Sequence, residues 1–206
     1  AYGHIAELSA SMNFAGVSRW LSEVGSALDF VLADLGVSST QLDNPARGFT
    51  YKADGPLDLR LNPNRGRPAA ALLSTLTESD LADLLVENSD EPHAHAIARA
   101  LHGQPIATTT QLADLVRRAL EARFPEATRQ QEMRKSLQRT LQALRIAVND
   151  EFRVLEQFLA LLPMCLKPGG RVAILTFHSG EDRRVKKAFQ VGHREGVYER
   201  IARDPM

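Results

Sequence analysis

The sequence predicts an α/β protein in which a doubly wound sheet, two strands of it legible, is interrupted by an inserted all-helical lobe. Three observations carry this. The apolar run Phe30-Val31-Leu32-Ala33 ends on Asp34 and passes at once into the Gly/Ser loop Leu35–Asp43. A second apolar run, Arg171–Phe177, follows Lys167-Pro168-Gly169-Gly170 and ends on His178-Ser179. Between the two lies a long stretch with helical periodicity and little strand signal. Helix, Pro-Gly-Gly turn, apolar strand and polar loop together make one half of a doubly wound sheet. Such sheets bind ligands just beyond the carboxyl ends of their strands. If the two strands lie side by side, Asp34 and His178-Ser179 line one crevice.

The elements follow in order. Phe14 and Val17 through Leu21 suggest a short helix that Gly25 ends, and the first buried strand follows at Phe30–Ala33. Asn44 to Pro68 is a polar stretch rich in Gly, Pro, Asn, Asp and Arg without periodicity, and stretches of that kind are usually functional or mobile. Thr77 with Asp80 three residues on reads as a capping box before Leu81, Leu84 and Leu85. Ile97 and Leu101 mark a second helix, and Thr110 is expected to cap a third that carries Leu112, Leu115, Val116, Ala119 and Leu120. The Glu-, Arg-, Gln- and Lys-rich residues 121–140 form a charged connector or a helix extension. Leu141, Leu144, Val148, Phe152, Leu155, Leu159 and Leu162 keep a 3–4 spacing that predicts one long amphipathic helix, stopped by Pro163 and the Pro-Gly-Gly turn. Ser179 with Asp182 can cap the last helix, which carries Val185 and Phe189. The sheet core is therefore assigned to 1–43 and 141–206, and the helical lobe to 44–140.

Composition narrows the function classes. The 206 residues are 44% hydrophobic and 24% charged with a formal net charge of zero, so any pull on nucleic acid must come from local patches. A single cysteine, Cys165, leaves no internal disulfide and no cysteine-rich zinc site, in keeping with a reducing cytosol. No apolar run is long enough for a membrane span, and Ala1-Tyr2-Gly3-His4 does not open a signal peptide. No zinc motif, P-loop or dinucleotide fingerprint is present, so no metal is expected and a nicotinamide-dependent oxidoreductase is disfavoured.

The strand ends suggest a chemistry. An exocyclic amine on a base is a poor nucleophile because its lone pair is delocalised into the ring. A carboxylate that accepts its N–H bonds localises that pair and favours the transition state. Asp34 suits that role or a cofactor contact; the same residues would equally serve a strand that stops at a turn. Gln41 offers a donor and an acceptor together, and also reads as an ordinary loop residue. His178 offers a candidate acid or base and sits beside Ser179, Glu181, Asp182 and Arg183, where a structural role fits as well. Three basic clusters stand out: Arg47, Lys52, Arg60, Arg65 and Arg67 with Phe49 and Tyr51; Arg183, Arg184, Lys186 and Lys187; and Arg129, Arg134, Lys135 and Arg139. Cations interleaved with rings suit single-stranded RNA, and a solvated face is the plainer account of any one cluster.

Several blocks resemble one family. Asp34-Leu-Gly-Val-Ser-Ser-Thr-Gln-Leu-Asp43, Arg47-Gly-Phe49, Asp54-Gly-Pro-Leu-Asp-Leu-Arg60, Ile97-Ala-Arg-Ala100, Gln142-Ala-Leu-Arg-Ile-Ala-Val-Asn-Asp-Glu151, Pro168-Gly-Gly-Arg171 and Phe177-His-Ser179 with Glu181-Asp-Arg183 are similar to the RsmH (MraW) family, in the right order over nearly the whole chain. The resemblance implies a Rossmann-like class I methyltransferase sheet with an inserted helical substrate lobe. It implies methyl transfer from S-adenosylmethionine to the N4 amine of a cytidine in small-subunit ribosomal RNA, on free RNA or a ribosomal particle, in the cytoplasm. It also implies that Phe14, Asp34 and Gln41 contact the cofactor. Asp34, His178 and Ser179 are the expected catalytic residues, and Arg47, Lys52, Arg60, Arg183 and Arg184 the expected RNA contacts. The family's glycine-rich cofactor loop and basic C-terminal tail do not stand in this sequence, and Thr40, Leu141 and Gly180 replace a usual Pro, Phe and Leu. The chain is thus expected to be a portion of a longer enzyme, or else a non-catalytic RNA-binding or assembly module.

Overall fold

The computed structural model describes residues 16–25, 27–37 and 44–202. In chain order its elements are α1 (Val17–Val24), β1 (Leu28–Asp34), α2 (Ala69–Leu73), α3 (Glu78–Ser89), α4 (Ala94–Leu101), α5 (Thr109–Leu120), α6 (Glu126–Asn149), α7 (Glu151–Cys165), β2 (Leu166–Leu175) and α8 (Ser179–Arg194), with 3-10 turns at Pro45–Arg47 and Glu121–Arg123. The chain divides into two compact units, Ala1–Leu35 with Phe152–Met206, and Gly36–Glu151.

In the first unit β1 and β2 pair in parallel, with Phe30 opposite Arg171 and Asp34 opposite Leu175. The register shifts between Leu28 and Phe30, because Lys167-Pro168-Gly169-Gly170 loops out between Leu166 and Arg171. Gly169 takes φ 77° there, a conformation that suits a residue without Cβ. Pro163 lies inside α7 rather than ending it, and the helix runs on to the buried Cys165. Strand pairing stops at Leu175, short of the expected Phe177, because the Phe177 N–H donates to the Glu181 carboxylate at 2.9 Å and is lost to the ladder.

The sequence marks both apolar strand runs as buried, and only one face is. Successive strand side chains point to opposite faces. Val31, Ala33, Leu35, Val172 and Ile174 pack on Leu155, Phe158, Leu159 and Leu162 of α7 and Val185 of α8. On the other face Phe30 and Leu32 are 55% and 60% exposed.

The second unit is helical apart from its first segment. The Thr77–Asp80 capping box forms as expected at the start of α3. Helix α5 is capped two residues earlier than expected: Thr108, not Thr110, exchanges hydrogen bonds with Gln111, and the Thr110 hydroxyl donates to Asp54 instead. Residues 126–140 extend α6. The long helix predicted through Leu141–Leu162 is broken at Asp150, which takes φ 54° and separates α6 from α7. A one-residue break leaves the 3–4 spacing legible on both sides, so periodicity alone could not show it.

The polar stretch 44–68 is anchored, not loose. Phe49, Leu57 and Leu59 are buried in the core of this unit. Leu59 adopts φ 63°, which costs an L residue about 1–2 kcal/mol. Its surroundings hold it there. Asn149 Nδ2 donates to the Leu59 carbonyl at 2.8 Å, and Asn149 Oδ1 accepts the Leu61 N–H at 2.7 Å. Arg47 Nη2 donates to the carbonyls of Arg60 and Leu61 at 2.8 and 2.9 Å. Backbone approach here is too close for side chains: a Cβ on Gly48 would meet the Pro56 carbonyl at 2.2 Å, and one on Gly55 the Pro45 carbonyl at 2.0 Å. Asn149→Ala leaves a carbonyl and an N–H beside Leu59 unpaired. It is expected to lower stability by about 2 kcal/mol, read as a lower urea midpoint at unchanged slope.

Candidate functional site

The parallel register brings the two polar strand ends together. Asp34 lies opposite Leu175, and the last ladder bond runs from the Leu35 N–H to the Leu175 carbonyl at 3.2 Å. Asp34 is exposed and its carboxylate has no hydrogen bond or ion pair among the described residues. The rim beside it is apolar, with Leu175 and Phe177 49% and 70% exposed.

His178 and Ser179 follow on the neighbouring strand, but their side chains are placed differently from the expectation. His178 itself is the N-cap of α8, the role expected of Ser179. Its Nδ1 accepts the Glu181 N–H at 3.4 Å, and its buried Nε2 lies 3.3 Å from Glu181 Oε1 without a hydrogen bond among the described residues. The other Glu181 oxygen accepts the Phe177 N–H. Glu181 thus holds the turn through its carboxylate at Phe177 and its backbone N–H at His178. Ser179 is exposed as the first residue of the helix. Gly180 leaves room for the Phe152 ring, which a Cβ there would meet at 2.6 Å. Phe14 and Gln41 lie outside the described residues.

The expected RNA contacts divide by environment. Lys52 and Arg183 are exposed. Arg47 is turned inward onto backbone carbonyls, as described above. Arg60 makes a bidentate pair with Asp58, at 2.7 Å (Nε to Oδ1) and 2.8 Å (Nη2 to Oδ2), with a fifth of its side chain exposed. Arg184 lies 3.5 Å over the Phe152 ring, pairs with Glu156 at 3.0 Å and donates to the Gly180 carbonyl. Three of the five therefore hold the fold. The sequence missed Glu181 as the clamp of the strand-end turn; its place three residues after the capping His178 was the available signal. Among the described residues no cluster of His, Cys, Asp and Glu could hold a metal ion, and no helix is long and apolar enough to cross a membrane.

A carboxylate at the carboxyl end of a parallel strand, beside an exposed apolar rim, stands where open α/β sheets bind ligands. Comparison with known proteins gives the class, a methyltransferase family. The model of the MraW methylase family matches residues 6–201. The chain is 55% identical over 206 residues to "Ribosomal RNA small subunit methyltransferase H 2" of Alkaliphilus metalliredigens, covering 98% of this chain and 58% of that protein. It is 50% identical over 197 residues to "Ribosomal RNA small subunit methyltransferase H 1" of Agathobacter rectalis, covering 93% and 56%. It is 44% identical over 202 residues to "Ribosomal RNA small subunit methyltransferase H" of Methylibium petroleiphilum, covering 96% and 58%. The chain belongs to the MraW methylase family, and it spans a little over half the length of these curated relatives.

Two outcomes test the structural roles. The hydrogen bonds from Arg60 hold the Asp58 carboxyl below the usual carboxylate range. A group whose pKa is lowered by folding contributes stability that is complete above its unfolded value and is lost as pH falls through the folded one. Asp58→Asn should therefore be less stable than the parent at neutral pH, with the gap closing as denaturation is followed from about pH 5 to about pH 2. Arg184→Ala should destabilise by about 1 kcal/mol through the lost ring contact and hydrogen bond.

Proposed function

We propose that the protein transfers a methyl group to the exocyclic N4 amine of a cytidine in small-subunit ribosomal RNA, in the cytoplasm. The observation that carries this reading is the exposed Asp34 carboxylate at the end of β1, without a hydrogen bond or ion pair among the described residues and set opposite Leu175 in the parallel pair. The names of the relatives support the RNA class. S-adenosylmethionine would supply an electrophilic methyl group. The residues present fit such a group: an exposed carboxylate for its positive charge and polar edge, and apolar Leu175 and Phe177 beside it. With Asp34, the resemblance points to Phe14 and Gln41 as its further contacts.

In this reading Asp34 accepts an N–H of the cytidine amine, which localises the nitrogen lone pair for direct attack. The same carboxylate is the acceptor for the proton that the product must lose. The Phe177–His178 turn, held by Glu181, presents an apolar wall, and His178 is placed there as the cap of α8. Ser179 lines the rim. A covalent enzyme intermediate is not needed. Cys165 supports this, because it is buried at the end of α7 and its burial pushes the thiol pKa up. Lys52 and Arg183 remain the exposed cations suited to phosphate.

The test is methyl incorporation into small-subunit ribosomal RNA from labelled S-adenosylmethionine, by the full-length protein. Asp34→Ala is expected to slow turnover at least about 100-fold, the effect of removing one placed hydrogen-bonding group. Its thermal melt should be unchanged, since the side chain is exposed. Normal turnover by this variant would remove Asp34 from the mechanism.

A further inference from the structure

We propose that an open groove in the Gly36–Glu151 unit binds one nucleotide of a single-stranded stretch of the RNA substrate. This rests on the RNA reading above and assigns to it a site away from the strand ends. The groove has a volume of about 590 Å³ and is lined by Tyr51, Lys52, Arg117, Arg129, Met133 and Arg134, with Leu137 at its floor. That volume lies in the range of small-molecule sites. The lining joins two basic clusters that are far apart in sequence, one around Tyr51-Lys52 and one on the first turns of α6.

The chemistry of the lining selects a nucleotide. Four cations face one carboxylate, Glu126. Arg117 is partly neutralised by Asp114 at 2.8 Å. Lys52 and Arg134 make no ion pair among the described residues and are exposed. Arg129 is the sharpest sign. Its Nη2 donates to the Phe124 carbonyl at 3.4 Å, and its Nε is shielded from solvent without a hydrogen-bond partner among the described residues. A shielded guanidinium N–H with no acceptor is costly, and a phosphate oxygen entering the groove would supply one. Tyr51 and Met133, both half-buried against the core of this unit, add an aromatic ring and a polarisable thioether where a base can stack. An acidic peptide would use the cations and leave that apolar floor unused.

The experiment is fluorescence anisotropy of a labelled single-stranded RNA oligonucleotide with the protein, titrated across salt concentrations. Loss of two phosphate contacts in Lys52→Ala/Arg134→Ala should flatten the log–log salt dependence by about 1.4, at about 0.7 per contact. Tyr51→Ala should weaken binding about tenfold, and Tyr51→Phe should restore it, which separates stacking from damage to the core. If the parent binds the RNA while Lys52→Ala/Arg134→Ala keeps its affinity and slope, the groove assignment falls and the RNA reading stands. If Tyr51→Phe binds as poorly as Tyr51→Ala, the stacked base is overturned. Displacement of the RNA by poly-glutamate at equal charge concentration would overturn the nucleotide in favour of an acidic chain. A parent protein that binds no RNA at all would overturn both readings.

Discussion

The structure depends first on the parallel pairing of Phe30–Asp34 with Arg171–Leu175. Antiparallel neighbours can be joined by a two-residue turn; parallel neighbours cannot, because the chain must travel back to the starting end before it can pair. The polypeptide between these strands is therefore an obligatory excursion. It holds the whole helical unit and returns along α7. The same pairing sets the site. Two strands running in one direction end at one edge, so Asp34 and the Phe177–His178 turn meet there although they are distant in sequence.

A second constraint governs the helical unit. Leu59 is held in a left-handed conformation with its side chain buried, and the residues around it exist to tolerate that strain. Asn149, Arg47, Gly48 and Gly55 each satisfy or make room for backbone that a regular element would have satisfied by itself. Strain of this kind persists only where surrounding contacts over-determine it. Arg47, expected as an RNA contact, belongs to this framework.

The two ends of the sheet edge show opposite use of polar groups. At β2 the Glu181 carboxylate accepts the Phe177 N–H and His178 Nδ1 accepts the Glu181 N–H, which holds the turn. At β1 the Asp34 carboxylate is exposed, without a hydrogen bond or ion pair among the described residues. In the proposed function that acceptor is what differential stabilisation of a reacting amine requires. The basic residues show the same division, between guanidiniums spent on carbonyls and rings and the cations left over in the groove.

Much was legible in the sequence by itself. Strand runs, helix periodicity, the Thr77 capping box, the helical lobe and the motif order of the family all rest on local pattern, and local pattern is what short-range backbone physics reads. Asp34 as a strand-end carboxylate belonged to that class. The break at Asp150, the capping role of His178 and the inward turn of Arg47, Arg60 and Arg184 did not. An arginine has the same signature in sequence whether its guanidinium meets water, a phosphate or a carbonyl, and only tertiary contact decides among them. The one-sided burial of the strands was hidden for a related reason: an apolar residue records that it could be buried, not that anything in the fold covers it.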